Sequence, residues 1–352
     1  MTPPVRIRNQ DRFTALLGVP AFVIPWLDRF FEPADAEIVL ALDRSAGGHA
    51  AGMPFSKAAL ERAVRRGILT PRADGLPAIA DFHSRFEMWA LFEGWKDVPV
   101  NIRQQLNEWE LTHYDNRILP HIDRLRSGAP RPPEAVWPTY LVMEEAEKLI
   151  ERVPHIFLWP CNCRSMMKGC RKEVFTCLRF ENDRNIGWEI SRDRALGIIH
   201  KANRQGLMQS GEIGLNADGG IRGAICNCCP DCCYPHRAAR RLAAEKYWPL
   251  TRYLARLPEQ PCSGCGRCRK RCPFEAISVI VDEDTGKQFP TLPDAARCRG
   301  CGLCATGCPE GAIRMDRVGQ TLEDFIASGR PTLGDGVGQA GDPVIASMES
   351  RR

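Results

Sequence analysis

The chain has 352 residues, a mass of 39.4 kDa and a net charge of +5, which is too long for one small domain and suits two or three. Its 44% hydrophobic and 26% charged content is typical of globular proteins and excludes a fibrous or wholly disordered chain. No apolar run reaches the roughly 18 residues of a membrane span, and no cleavage site follows the apolar stretch 13–27. We therefore expect a cytoplasmic protein without a membrane span; its oligomeric state is not indicated.

The N-terminal region, residues 1–135, is predicted to be mostly helical. Ser56 can cap a helix that runs to Arg66. Short strands at 68–70 and 76–80 would follow, joined by a turn at 73–75. This helix and hairpin resemble the winged-helix module, which implies either DNA binding or a docking role. Three arginines lie on the predicted helix, but the region is neutral overall, and that balance does not favour DNA binding.

The middle region, residues 136–255, alternates predicted helices with strands. Helices are expected at 140–153, at 191–206 with Ser191 as its N-cap, and at 237–257. Strands at 155–159 and 221–225 each run directly into a group of cysteines. The region carries 18 basic and 13 acidic side chains. Such a surplus could offset the negative charge of thiolate-bound clusters, or it could be an ordinary solvated face.

Proline-rich segments around 130–133 and 258–261 are predicted domain boundaries. We expect an α+β protein in four parts: the helical winged-helix-like region, the cysteine-rich α+β domain, a ferredoxin-like domain at 256–318 and a disordered tail at 319–352.

Seventeen cysteines, all between 161 and 308, carry the functional signal. The odd number and the close spacing do not suit a disulfide framework, and in a cytosolic chain they indicate metal ligands. Eight of them form two runs of the pattern C-x2-C-x2-C-x3-C-P, at 262–273 and 298–309. This pattern holds [4Fe–4S] clusters, and its fourth cysteine ligates the other cluster of the pair. We therefore assign one cluster to Cys262, Cys265, Cys268 and Cys308, and the second to Cys298, Cys301, Cys304 and Cys272.

Residues 256–318 are thus an internal repeat that resembles the two-cluster bacterial-type ferredoxin domain. The resemblance implies two [4Fe–4S] clusters and the transfer of single electrons. Zinc, which also binds CxxC pairs, is the alternative that the paired Cys-Pro endings disfavour.

Nine further cysteines lie in the middle region, in two groups that each begin with Cys-Asn-Cys. They are Cys161, Cys163, Cys170, Cys177, Cys226, Cys228, Cys229, Cys232 and Cys233. Alternate residues of a strand point to the same face. We therefore expect the two CNC strands to lie side by side, with their cysteines around a common centre. Nine thiols suffice for one or two additional Fe–S clusters; an iron centre that meets substrate, zinc, and redox-active thiols remain open.

The whole pattern resembles multi-cluster iron–sulfur proteins of anaerobic metabolism, which implies redox work without naming a substrate. The leading hypothesis is an electron-transfer protein that serves a partner oxidoreductase. A redox enzyme that uses a middle-domain metal centre is the first alternative, and whether the chain is itself an enzyme stays open. A redox-responsive DNA-binding regulator is the second alternative. The eight ferredoxin cysteines have a ligating role, and no catalytic acid, base or nucleophile is indicated.

Overall fold

A computed structural model of the chain describes residues 9–44, 54–72, 77–95, 98–129, 137–257 and 262–328. These residues divide into two compact units. The first contains the described residues up to Glu110 together with Asn182–Ile186, and the second contains the others from Leu111 onward. The division of the second unit into a middle and a ferredoxin-like domain stays a prediction.

The first unit is helical with one short hairpin. Its elements are α1 (Gln10–Leu17), α2 (Leu27–Phe30), α3 (Pro33–Arg44), α4 (Lys57–Arg65), β1 (Leu69–Thr70), β2 (Ala78–Ile79), α5 (Phe82–Met88) and the first part of α6 (Val100–Arg126). Ser56 caps α4 as predicted, because its Oγ accepts from the Ala59 amide at 3.2 Å. β1 and β2 pair antiparallel, and the predicted turn at 73–75 lies outside the described residues.

The core of the first unit is aromatic and contains one fully buried arginine. The rings of Phe30 and Trp89 have centroids 4.6 Å apart. Arg85 is completely buried and donates to both carboxylate oxygens of Glu93, at 2.7 and 2.6 Å. A buried guanidinium needs such a bidentate partner, since an unpaired buried charge is strongly destabilising.

The second unit is built on a six-stranded antiparallel sheet with the order β3-β7-β8-β5-β4-β6. Its strands are β3 (Pro138–Tyr140), β4 (Phe157–Pro160), β5 (Phe175–Arg179), β6 (Trp188–Glu189), β7 (Met208–Leu215) and β8 (Ile221–Cys228). The connecting helices are α7 (Met143–Arg152), α8 (Asn162–Met167), α9 (Arg192–Arg204) and α10 (Tyr234–Arg241). Ser191 caps α9 as predicted.

The remaining elements of this unit surround the ferredoxin-like motifs. They are β9 (Tyr253–Arg256), α11 (Arg267–Arg271), β10 (Val279–Val281), β11 (Gln288–Pro290), α12 (Leu303–Thr306), β12 (Arg314–Arg317) and α13 (Leu322–Ser328). β9 pairs with β12, and β10 pairs with β11. The second pair is the hairpin that joins the two motifs.

One face of the six-stranded sheet carries the hydrophobic core, and this decides where the cysteines point. Leu178 on β5 and Ile225 on β8 pack with the apolar faces of α7, α9 and α13. Because side chains alternate along a strand, Cys177, Cys226 and Cys228 point to the opposite face. The sheet thus separates a layer of packed apolar side chains from a layer lined by thiols.

Several predictions of local structure are wrong. The CNC strands β4 and β8 are not neighbours, because β5 lies between them and pairs with both. The predicted helix at 237–257 ends at Arg241, and the residues 253–256 form β9, because they pair with β12. The predicted helix at 140–153 begins only at Met143, since β3 precedes it.

The predicted disordered tail also starts too early. Residues 322–328 form α13, whose Leu322, Phe325 and Ile326 are buried in the core beside α7 and α9. Three apolar residues at helical spacing provide enough contact to hold this short helix on the sheet. The rest of the predicted tail lies outside the described residues.

Candidate metal centres

The two ferredoxin-like motifs fold in the same way. A glycine in the left-handed conformation precedes each short helix, Gly266 before α11 (φ 63°) and Gly302 before α12 (φ 72°). Gly300 has a stricter requirement, because a Cβ there would lie 2.2 Å from the carbonyl oxygen of Tyr253. The glycines between the cysteines therefore allow the backbone to turn tightly and to approach β9.

The eight ferredoxin cysteines line two separate cavities. One cavity, of about 120 Å³, is lined by Cys262, Cys265, Cys268 and Cys308. A smaller one, of about 20 Å³, is lined by Cys272, Cys298, Cys301 and Cys304. Each set draws three thiols from one motif and the fourth from the other. This arrangement matches the crossed ligand sets that we expected, and the ligation itself remains a proposal.

Backbone amides point at the sulfur of each fourth cysteine. Ala276 N–H donates to Cys272 Sγ at 3.3 Å, and Ala312 N–H donates to Cys308 Sγ at 3.2 Å. Both amides lie four residues after their cysteine, so the Cys-Pro turn creates the same donor in each motif. Such hydrogen bonds stabilise a thiolate and tune the potential of a cluster that it ligates.

Burial opposes ionisation of two thiols of the second cysteine set, Cys301 and Cys304. It raises the pKa of the Cys304 thiol to about 12 and that of Cys301 further above its usual range. The thiolate form is the metal ligand. Binding a metal or cluster at these thiols must therefore release protons, and the metal must supply the stabilisation that water does not.

Six cysteines of the middle region form one continuous set of thiols, which we call the thiol row. Hydrogen bonds connect each member to the next, and the order is Cys177, Cys226, Cys228, Cys233, Cys163 and Cys161. A tetrahedral metal ion takes at most four thiolates. Six connected thiols can therefore serve a centre with more than one metal ion.

The thiol row is assembled by two strands and two helix starts. Cys177 comes from β5, and Cys226 and Cys228 come from β8, where they point to the same face as predicted. Cys161 and Cys163 do not share an extended segment, because α8 begins at Asn162 and Cys161 is its N-cap. The turn of α8 nevertheless brings both thiols into the row.

The pKa shifts alternate along the row: they are downward at Cys177, Cys228 and Cys163 and upward at Cys226, Cys233 and Cys161. Hydrogen bonds from Cys226 and Cys233 hold the pKa of Cys228 well below its usual range. Ser210 also contacts this sulfur, with 3.2 Å between Oγ and Sγ. Hydrogen bonds from Cys161 and Cys233 lower the pKa of Cys163 in the same way.

Arg164 is a buried cation beside these sulfurs that the sequence did not single out. Its guanidinium donates to the carbonyl oxygen of Asn227 at 2.7 Å and also to the Thr176 hydroxyl. Burial lowers its pKa, but the negative charges of nearby cysteines, Cys161 and Cys228 among them, outweigh this and raise it. A fixed positive charge here offsets thiolate charge at the row.

The remaining three middle-region cysteines form a separate group, which we call the thiol trio: Cys170, Cys229 and Cys232. Their three sulfurs lie within 4.8 Å of one another, and those of Cys170 and Cys229 are 3.7 Å apart. A hydrogen bond from Cys232 holds the pKa of Cys229 near 5, in spite of burial. Adjacent cysteines thus belong to different groups: Cys228 lies in the row and Cys229 in the trio.

The second ferredoxin set lies against the thiol row. Cys301 packs in one apolar cluster with Cys228 and Cys233, together with Tyr140 and Leu303. The first set contains Cys265, the exposed member of the eight. Of the two ferredoxin cavities, the smaller therefore faces the sheet and the larger approaches the surface.

A chain of buried amides joins the CNC strand to the ferredoxin-like motifs. The side-chain oxygen Oδ1 of Asn227 accepts from Gln209 Nε2 at 2.9 Å. The side-chain oxygen Oε1 of Gln209 accepts in turn from Asn203 Nδ2 at 2.8 Å. Asn203 in turn accepts from Arg271, which precedes Cys272, and from Thr306 on α12, at 3.1 and 2.8 Å. Each amide of this chain has its polar atoms satisfied, as buried polar groups require.

Comparison with known proteins identifies one segment. Residues 255–315 match the family model of the 4Fe-4S dicluster domain. Neither the curated proteins nor the solved structures give a match to the chain. The match and the many cysteines support an iron–sulfur protein that binds [4Fe–4S] clusters. Within the described ranges, no helix combines the length and the apolar character needed to cross a bilayer.

Proposed function

We propose that this chain is an electron-transfer protein with two [4Fe–4S] clusters in the ferredoxin-like segment and a further iron–sulfur centre on the thiol row. The observation that carries the proposal is the pair of cavities, each lined by four cysteines drawn from both motifs. A cluster of this type takes up or releases one electron when it is bound. The chain itself supplies the thiolates, the amide donors and the apolar walls.

The position of each set supports a partner that approaches from the side of Cys265. This thiol is exposed, while Cys301 and Cys304 of the other set are buried. α11 follows directly with exposed Arg267, Arg269 and Lys270. A basic surface beside a near-surface cluster favours an acidic redox protein, because complementary charge speeds association.

Two alternatives remain with different support. An enzyme that uses the thiol row would need substrate to reach thiols that are mostly buried. A DNA-binding regulator would use the arginines of α4. Arg62 and Arg66 both pair with Glu32, the former at 2.7 Å, so intramolecular pairs already neutralise much of their charge. The electron-transfer role therefore has the stronger support.

Quantitation of iron and sulfide in anaerobically purified protein, combined with EPR during reductive titration, tests the proposal. We expect about eight irons per chain from the two ferredoxin sets and additional iron from the thiol row. Cys177→Ser should reduce the additional iron and leave the two ferredoxin signals. A preparation with about four irons or fewer and stoichiometric zinc at the ferredoxin cysteines would overturn the proposal.

A further inference from the structure

The thiol trio differs from the other cysteine groups in its local construction. β8 ends at Cys228, and the sequence Cys229-Pro230-Asp231-Cys232 then turns so that the Cys232 amide donates to Cys229 Sγ. Cys170 reaches the same place from the loop after α8. The C-x2-C spacing on a turn, completed by a distant third thiol, is typical of zinc sites.

The distances between the sulfurs distinguish one metal ion from a cubane cluster. A tetrahedral zinc ion with Zn–S bonds of about 2.3 Å holds its sulfurs about 3.8 Å apart. The Cys170 and Cys229 sulfurs are 3.7 Å apart, and all three sulfurs lie within 4.8 Å. In a cubane each thiolate binds a different iron, so the thiols surround a larger volume, as the ferredoxin sets do around their cavities.

The surroundings of the trio leave one side of it close to solvent. Cys229 and Cys232 are buried, whereas Cys170 is half-buried and lies between the exposed Gly169 and Arg171. The buried Arg164 guanidinium lies close enough to Cys229 to interact with its thiolate. Its positive charge offsets the one negative charge that would remain on a divalent ion with three thiolates.

We propose that Cys170, Cys229 and Cys232 bind a single zinc ion, with the fourth position open on the solvent side to water or a small exogenous ligand. Zinc sites with three protein ligands and an open position are the kind that meet substrates. The chain would then contain a mononuclear thiolate site in addition to its iron–sulfur centres. This inference does not depend on the proposed electron-transfer function, since it rests on the trio alone.

Metal analysis of anaerobically purified variants provides the first test. The wild type should contain about one zinc per chain. Cys170→Ser, which changes the half-buried ligand, should lose at least about 80% of this zinc and keep its iron, and a Cys229→Ser/Cys232→Ser double variant should do the same. Cys177→Ser is the matched control, because this row thiol should affect iron and leave zinc in place. Loss of iron with retention of zinc in the Cys170 variant would overturn the proposal.

Cobalt provides a second readout that does not depend on which metal the cells supply. Zinc-depleted protein titrated with Co²⁺ alone should develop thiolate-to-cobalt charge-transfer absorption that saturates at about one equivalent. The absorption should be weak or absent in the Cys170→Ser variant and unchanged in Cys177→Ser. Wild-type protein that contains no zinc and develops no such band would show that the trio is not a single-ion site.

Discussion

Cys272 shows how far the neighbours of a residue along the chain can differ from its neighbours in space. It follows Cys268 by four positions, yet its thiol lines the cavity of Cys298, Cys301 and Cys304. We predict that Cys272→Ala removes the EPR signal that Cys301→Ala also removes, and that Cys308→Ala removes the other one. If Cys272→Ala instead reproduced the effect of Cys265→Ala, the crossed ligation would be wrong.

His83 makes the stability of the first unit depend on pH. Burial lowers its pKa, but the carboxylate of Glu110, 2.8 Å from Nδ1, outweighs burial and raises it from 6.5 to about 9. The charged pair then stabilises the fold by on the order of 3 kcal/mol. This contribution is fully present below pH 6.5 and is lost as the pH rises through 9, because the folded state then gives up its extra proton.

Thermal unfolding of His83→Gln beside the wild type measures this effect. We expect the variant to melt at a clearly lower temperature at pH 6, and the difference to shrink by pH 9.5. A difference that is the same at both pH values would show that His83 contributes through packing alone.

At the scale of elements, one buried ion pair joins β9 to α7. Arg252 on the approach to β9 donates to Glu145 Oε1 at 2.9 Å, and both side chains are buried, 3% and 7% exposed. Arg252 Nε also donates to the Thr139 hydroxyl at 3.1 Å, and the Tyr253 hydroxyl donates to Glu145 at 2.9 Å. These contacts fix β9, and therefore its partner β12, against the sheet.

Arg252→Met should destabilise the second unit by on the order of 3–5 kcal/mol, because it leaves the Glu145 charge buried without its partner. The double variant Arg252→Met/Glu145→Met removes both charges and should regain most of the loss. Circular dichroism melting curves of the two variants make the comparison. A double variant no more stable than the single one would mean that packing of the arginine stem, and not its charge, is what matters.

The strands and helices that the sequence predicted well are those with strong local signals. Ser56 and Ser191 indicated where α4 and α9 begin. β5 carried no such signal, because its five residues include the polar Thr176 and Arg179 and it becomes a strand by pairing with β4 and β8 on its two edges. Overlooking β5 led to the wrong expectation that the CNC strands touch.

At the scale of the whole molecule, the ferredoxin-like segment is held to the sheet on both sides of the boundary at 258–261. β9 lies before this boundary and pairs with β12 after it, while α13 packs into the sheet core. A protease site placed at 258–261 should therefore give two pieces that still elute together in size-exclusion chromatography and separate only in denaturant. Separation in plain buffer would contradict this account of the interface.

How well each candidate site could be predicted from the sequence also depends on whether its signal is local. The ferredoxin sets lie within two short repeats, so the spacing of the cysteines alone indicated both sets of candidate ligands. The middle cysteines depend on contacts between distant segments. Strand alternation indicated that Cys228 shares a face with Cys226. Nothing in the order of Cys232 and Cys233 tells which thiol turns toward the row and which toward the trio, because the turn after β8 decides that.

The amide chain from Asn227 to Asn203 has a consequence for how this protein could be rebuilt. Arg271 and Thr306 of the ferredoxin-like segment both donate hydrogen bonds to the side-chain oxygen of Asn203. A foreign dicluster module grafted in its place could supply all eight cysteines and still lack these two donors. The buried side-chain oxygen of Asn203 would then have no hydrogen bond, which would lower the free energy of unfolding by about 1–3 kcal/mol. A transplant would therefore need an arginine just before the fourth cysteine of its first motif and a hydroxyl two residues after the third cysteine of its second.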